Sequence, residues 1–304
     1  MKLLGLEAID VRGLANGIYS FAKTPEQAHD RVLVTGGPGS GKTRLLEVIV
    51  AARRLLAPHD GLGPLDSFIR RGNNTSKAIV TWLLSAEDQA TIGAASPVVS
   101  TEIIFGMMAP VQGVDDRLLF LLERYAHDDA TPKLEYFSER RRLDLGGGDL
   151  GLDEAVQAPL RASADPRKFA WMPSFLRRLR TAPETATRFA GTLERFSRSL
   201  SYDLHRHVLG SRGRTLRGLE ELSTSEADAV IFAATATLVG LSRSVVLVDR
   251  PDVNGIELNQ ALAGLAALGA DNQLIVTTSS PELAAGFEGA VIALGSGPFK
   301  RGSR

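Results

Sequence analysis

Eight consecutive residues, Gly36-Gly37-Pro38-Gly39-Ser40-Gly41-Lys42-Thr43, have the types needed to hold a triphosphate. They satisfy the G-x-x-x-x-G-K-[ST] spacing. Glycine torsions let successive amide N–H groups converge on one phosphate, and a following helix adds the positive end of its dipole. Lys42 supplies a cation for the β- and γ-phosphates, Thr43 supplies a hydroxyl for Mg²⁺, and Arg44 completes the expected nucleotide-binding stretch. Such a loop also needs an acid for the metal. Val245-Val246-Leu247-Val248-Asp249 is an apolar run that ends in a carboxylate, so Thr43 and Asp249 are the expected metal ligands. The competing reading makes the glycines an ordinary turn and Asp249 a cap ahead of Pro251.

Elements of the right kind flank these groups. Val32-Leu33-Val34 is a buried-strand pattern entering the glycine loop, and Leu45, Leu46, Val48, Ile49, Ala52 and Leu55 give the helix after it an apolar face. Upstream, Lys2–Arg12 and Ile18–Phe21 read as strands. Ala78–Leu84 and Val98–Phe105 read as strands joined by a polar, hairpin-like stretch after the turn-rich segment Pro58–Ser76. Leu118–Ala126 reads as a helix, Lys133–Phe137 as a strand and Gly146-Gly147-Gly148 as a flexible loop. Residues Pro173–His207 lack strand patterning and read as helices. Val230–Leu238 is an Ala-rich helix, followed by strand Val245–Val248, helix Leu258–Leu268 and strands Leu274–Thr278 and Ala290–Leu294. The tail from Phe299 is expected to fray.

The 304 residues include 35 basic and 35 acidic ones and no cysteine. Net neutrality removes any bulk electrostatic argument for nucleic acid or an anionic membrane. The missing thiols exclude a disulfide scaffold, a thiolate metal site and a cysteine nucleophile. The histidines His29, His59, His127, His205 and His207 show no zinc spacing. No apolar run reaches membrane-spanning length, and Met1–Asp10, carrying Glu7 and Asp10, does not read as a signal peptide. The expectation is a cytoplasmic protein with no membrane contact.

The order of motifs resembles the ABC-type ATPase heads of the SMC/RecF-like class, often labelled AAA family ATPases. Lys2–Leu14 resembles the opening strands of that fold. Leu222-Ser223-Thr224-Ser225-Glu226 sits where the L-S-x-G-E signature belongs. Asp249-Arg250-Pro251-Asp252 resembles D-E-P-E, and Ile275–Leu283 resembles the switch segment I-V-T-T-H-S-P-E-L. The resemblance implies an α/β fold of the P-loop NTPase type, with a mixed central sheet, an antiparallel N-terminal β subdomain and a helical lid. It implies one ATPase domain over 1–304, divided as 1–145, 146–220 and 221–304. It also implies ATP and Mg²⁺ as cofactors and a two-fold dimer, with itself or with a related ATPase, in which Ser223 contacts the nucleotide of the other subunit. Ser223 equally reads as the first half of a helix capping box with Glu226. The class acts in DNA transactions or prokaryotic defence.

Three positions depart from the pattern. Arg250 replaces the glutamate that polarises the attacking water, Ser279 replaces the switch histidine, and Ser225 replaces the signature glycine. Ser138 lies near the place of the Q-loop glutamine. These departures predict weak or absent hydrolysis, since losing a catalytic base costs about 10²–10⁴ in rate. A competent ATPase with a non-standard acid, and a structural subunit stabilised by nucleotide, are the alternatives. Arg250 is expected to face the γ-phosphate or to pair with Asp252 or Glu226. Arg140-Arg141-Arg142 reads as a solvated turn. Residues 161–220 hold thirteen cations against five acids, which suits DNA phosphates, an acidic partner or a plain solvated face.

Overall fold

The computed structural model describes residues 1–56, 65–106, 112–113, 118, 120–121, 131–143, 150–255 and 258–295. The triple glycine 146–148, the tail from Phe299, His59, His127 and most of the expected helix Leu118–Ala126 lie outside these residues. The chain divides into two compact units, Met1–Arg124 with Ile275–Arg304, and Tyr125–Leu274.

The first unit begins with β1 (Lys2–Ile9), β2 (Gly17–Ser20), β3 (Ala22–Thr24), β4 (Gln27–Ala28) and β5 (Arg31–Thr35). Helix α1 (Lys42–Leu56) follows the glycine loop. Then come β6 (Thr75–Leu83), α2 (Ala86–Ile92), β7 (Val98–Gly106) and β8 (Gln112–Gly113). An antiparallel sheet of order β2-β1-β6-β7-β8 results. Its register places Leu6 opposite Val80 and Leu3 opposite Trp82. Period-two burial selects one face: Ser76, Ala78, Val80 and Trp82 from β6, with Thr101, Ile103 and Phe105 from β7. The fully buried Leu45, Leu46, Val48, Ile49 and Ala52 of α1 have the 3.6-residue spacing of a core-facing helix, and α1 packs on β6 and β7.

The stretch between β6 and β7 is a helix rather than the expected hairpin. Ser85 caps α2: its hydroxyl accepts from the Asp88 amide at 3.1 Å, and Asp88 accepts from the Ser85 amide at 3.1 Å. Gly93 closes it at φ 62°. This reciprocal cap satisfies two orphan donors of a seven-residue helix too short to persist alone.

The second unit holds β9 (Leu134–Phe137), α3 (Glu154–Leu160), α4 (Met172–Leu179) and α5 (Pro183–Phe196). These are followed by β10 (Leu200–Asp203), β11 (Val208–Ser211), β12 (Arg214–Thr215), α6 (Thr224–Val239), β13 (Val245–Val248) and α7 (Leu258–Ala266). The expected all-helical stretch Pro173–His207 is therefore helical only through Phe196. Leu200 and Tyr202 alternate inward on β10, which pairs with β11 from Leu200↔Ser211 to Asp203↔Val208. Helix α6 is buried along every residue from Asp228 to Val239, as expected of a helix apolar on all sides. An aromatic chain runs through the helical part: Trp171 to Phe175 at 5.6 Å, Phe175 to Phe189 at 5.4 Å and Phe189 to Tyr202 at 5.3 Å, all edge-on.

Strand β14 (Gln273–Thr278) carries the chain back to the first unit, where α8 (Pro281–Gly286) and β15 (Ala290–Ala293) complete it. Parallel pairing joins β15 to β5, from Ala290↔Val32 to Ala293↔Thr35, and β13 to β9, from Val245↔Leu134 to Val248↔Phe137. The fold is α/β, with a parallel central sheet and separate antiparallel sheets. The strands β9, β13 and β14 are buried at every position, which suits the continuous apolar run of β13. Among the described residues no helix is long and apolar enough to cross a membrane.

The aromatic chain makes Phe189 a keystone of the helical part. Phe189→Ala is expected to lower unfolding free energy by about 3–5 kcal/mol, from lost transfer energy and the cavity left behind. Urea denaturation followed by far-UV circular dichroism measures it.

Candidate nucleotide site

In the first unit, β5 ends at Thr35 and α1 begins at Lys42, so the glycine loop is the strand-to-helix turn. Two glycines are irreplaceable there. Gly41 sits at φ 98°, and a Cβ on it would run into the Gly13 carbonyl oxygen. Gly36 sits at φ 155°, with its would-be Cβ 2.6 Å from the Leu294 carbonyl oxygen. Neither position admits a side chain. Lys42 is only 6% exposed. Its Nζ curls back over the loop and donates to the carbonyls of Gly36 at 2.6 Å and Gly37 at 2.8 Å, and it lies 3.4 Å from Ser40 Oγ. The ammonium therefore lies against the backbone carbonyls of its own glycine loop.

The first-turn amides of α1 have no carbonyl one turn earlier to accept them. They include those of Thr43 and Arg44, which makes this helix start an anion site by construction. The Arg44 side chain turns elsewhere: Nη1 lies 3.1 Å from Glu47 Oε2, and the guanidinium stacks over Phe68 at 4.8 Å. Ser279 is half-buried on the loop between β14 and α8. Its neighbours anchor that loop: the Ser280 amide donates to Thr278 Oγ1 at 3.0 Å, and Ser280 Oγ accepts from the Leu283 amide at 3.3 Å. A hydroxyl there can hydrogen-bond but carries no charge.

In the second unit, β13 delivers Asp249, which has no exposed surface. Its amide donates to the Phe137 carbonyl at 2.8 Å, extending the β13–β9 ladder by one residue. A hydroxyl such as Thr43 and a carboxylate such as Asp249 are hard oxygen donors of the kind Mg²⁺ prefers, so the residue chemistry fits that ion. Arg250 takes a left-handed backbone at φ 45°, and its Nη1 lies 3.6 Å from Glu139 Oε2. Glu139 is thus one acid beside Arg250, in addition to Asp252 and Glu226, to which the sequence pointed.

Glu226 is engaged at the start of α6. Ser223 caps that helix, and its amide and hydroxyl donate to Glu226 Oε2 at 2.9 and 2.8 Å. Ser211 Oγ donates to the other carboxylate oxygen. Burial raises the Glu226 pKa, but these hydrogen bonds and the charge of Arg212 outweigh it and hold the carboxyl below the ordinary glutamate range. The capping box expected at Ser223 is present. Ser138, near the Q-loop place, donates to the Ala164 carbonyl at 3.1 Å.

Of the triple arginine, Arg140 and Arg142 are exposed, as a solvated turn requires, but Arg141 is not. Arg141 is 2% exposed. Its Nε and Nη2 lie 2.9 and 2.8 Å from Asp228 Oδ2 on α6. Nη1 donates to the carbonyls of Ser138 at 3.1 Å and Asp249 at 2.8 Å, and Nη2 donates to that of Arg250 at 3.1 Å. One guanidinium thus ties the helix that starts at Ser223 to the turn that carries Asp249 and Arg250. Sequence reasoning missed it, although a lone acid inside an apolar helix, Asp228 between Ala227 and Ala229, was the available signal. Burial pushes the Asp228 carboxyl above the usual aspartate range, and Arg141 opposes that rise.

The basic stretch is also less free than its sequence suggests. Arg161 and Lys168 are each 1% exposed. Lys168 Nζ lies 3.1 Å and Arg161 Nη1 3.6 Å from the carboxylate of Glu135, and Lys168 also donates to the Tyr136 carbonyl. Neither cation is available to DNA.

No protein-family model matches the chain, and no curated protein matches it by sequence. Solved structures do. The recombination mediator protein RecF of the RecFOR pathway with ATP is 12% identical, with 96% of this chain and 97% of that one covered at a TM-score of 0.51. The same mediator as its ATPrS complex is 11% identical, with 92% of each chain covered at 0.48. The SMC head domain from Thermotoga maritima is 14% identical, with 92% and 90% covered at 0.49. At these identities the likeness to RecF shows a shared fold and nothing finer.

Arg141→Ala strands a buried carboxylate and is expected to cost about 3–5 kcal/mol at neutral pH. Asp228 then rises further above its unfolded value. A group raised in the folded state contributes stability below its unfolded pKa and loses it as pH rises, so the deficit should be smaller near pH 4 than near pH 8. Urea denaturation at the two pH values reads the difference.

Proposed function

We propose that the protein binds ATP with Mg²⁺ at the Gly36–Thr43 loop and works as a nucleotide-dependent dimerisation switch with slow or no hydrolysis. The observation that carries this reading is Lys42, buried at 6% exposure with its ammonium on the Gly36 and Gly37 carbonyls. An anionic phosphate oxygen is a stronger acceptor for that ammonium than a neutral carbonyl. The RecF structure with ATP, alike in fold, supports ATP as the nucleotide. Asp249 and Thr43 hold the metal. Ser223, exposed at the start of α6, reaches the nucleotide of a second head, whether an identical chain or a related ATPase. The setting is cytoplasmic DNA transactions or prokaryotic defence.

Slow turnover follows from Arg250, which cannot accept the proton of an attacking water. A specific observation favours a second reading, a competent ATPase with a non-standard acid. Asp252 Oδ1 is buried and has no hydrogen-bond partner, two residues past Arg250. Glu139, beside the Arg250 guanidinium, is another carboxylate near that turn.

Calorimetry with Mg²⁺ and ATP should register binding that Lys42→Ala weakens at least tenfold, about 1.4 kcal/mol. Light scattering should show the mass rising when ATP is added; an unchanged mass leaves only a structural subunit. Phosphate release of several per second that vanishes in Asp252→Asn would establish the second reading instead.

A further inference from the structure

Within the second unit, a cavity of about 370 Å³ opens beside α4 and the β10–β11 hairpin. Leu176, Leu209 and Leu216 give it an aliphatic lining, and Arg177, Arg180 and Arg217 also face it. Leu209 and Leu216 are nearly buried, while the three arginines are exposed. Its size is that of a ligand pocket rather than a packing void.

Several other cations of the 161–220 stretch are engaged by acids or carbonyls, and at the cavity itself Arg177 donates to Ser174 Oγ at 2.8 Å. Arg161 and Lys168 face Glu135, Arg167 pairs with Asp165 at 2.7 Å, and Arg214 pairs with Glu221 at 3.5 Å. Arg188 and Arg195 donate to the carbonyls of Thr237 and Ala267. Among the described residues, Arg180 and Arg217 make no ion pair. Glu220 is the one acid lining the cavity, so three arginines face a single carboxylate.

We infer that this cavity docks an acidic peptide segment of a partner protein, with an aliphatic or aromatic side chain seated among the leucines and flanking carboxylates on Arg177, Arg180 and Arg217. Guanidinium groups take carboxylates two bonds at a time, which fixes orientation as well as charge. Nucleic acid fits less well. Single strands bind by stacking bases on open aromatic faces, and of the rings lining the cavity Tyr202 is only 7% exposed and His207 is half-buried against it. The Tyr202 ring already meets Phe189 edge-on at 5.3 Å, and its hydroxyl lies 3.4 Å from His207 Nδ1. The inference is independent of nucleotide binding.

The test is fluorescence anisotropy with a panel of fluorescein-labelled acidic peptides, each carrying one Leu, Ile, Met or Phe amid Asp and Glu. Controls replace the apolar residue by Ser or the acids by Lys, and a labelled oligothymidylate of similar length runs alongside, at about 50 and 200 mM salt. The expected result is at least one panel peptide binding with Kd below about 100 μM. Its Ser control should bind tenfold or more weakly, and the double variant Arg180→Glu/Arg217→Glu should lose tenfold or more while keeping its far-UV spectrum. Leu176→Asp, at a half-exposed site, should abolish the preference for the apolar residue. The inference is overturned if no panel peptide binds below about 1 mM, if the Ser control binds equally, or if the double variant is indifferent. Tighter binding of oligothymidylate than of every peptide at both salt levels, lost in the same variant, would assign the cavity to nucleic acid.

Discussion

The second unit depends on how one buried guanidinium finds its acceptors. Arg141 sits where water cannot reach it, and an unpaired cation there would be costly. Its hydrogen-bond partners come from three segments: the Asp228 carboxylate in α6, the Ser138 carbonyl after β9, and the carbonyls of Asp249 and Arg250 after β13. The guanidinium is planar and rigid, so it holds those segments in one arrangement. The left-handed backbone of Arg250 belongs to that arrangement. Such a conformation costs about 1–2 kcal/mol in a non-glycine residue, and the Arg250 carbonyl it presents is one that Arg141 binds. The turn carrying the candidate metal acid is therefore set from within the fold.

Lys42 illustrates the opposite use of a buried cation. Its carbonyl partners in the glycine loop are neutral, whereas an anionic acceptor adds the attraction between opposite charges. Arg141 differs in having the Asp228 carboxylate as a partner within the fold. One cation is structural because its partner is a permanent carboxylate. The other, Lys42, hydrogen-bonds to peptide oxygens of its own glycine loop. The same distinction separates Arg161 and Lys168, locked against Glu135, from Arg180 and Arg217 at the cavity.

What was legible in the sequence was local. The glycine loop, the strands β5, β9, β13 and β14, and the capping box at Ser223 are contiguous patterns, and each stands within a residue or two of its expected place. Strand β10 was hidden because four residues that find their partner only at Val208–Ser211 carry little period of their own. Helix α2 was hidden because Ser85 and Asp88 look like loop residues unless their spacing is read as a cap. Arg141 was illegible for a deeper reason. Its partners lie 87 and 108 positions away, and three adjacent arginines read as surface in any local window.

Charge counted along a sequence is consequently a poor guide to the field a partner meets. The thirteen cations of the 161–220 stretch include two that are buried and several that are engaged by acids or carbonyls. A phosphate backbone draws on many exposed cations laid out along its length, since affinity scales with the number of phosphates neutralised. The exposed charge at Arg177, Arg180 and Arg217 is instead gathered at one aliphatic cavity. Clustering of that kind favours an occupant that carries a few carboxylates beside an apolar side chain over one that carries a long regular line of charge. What a partner meets is therefore set less by net charge than by where exposed guanidinium groups gather beside apolar surface.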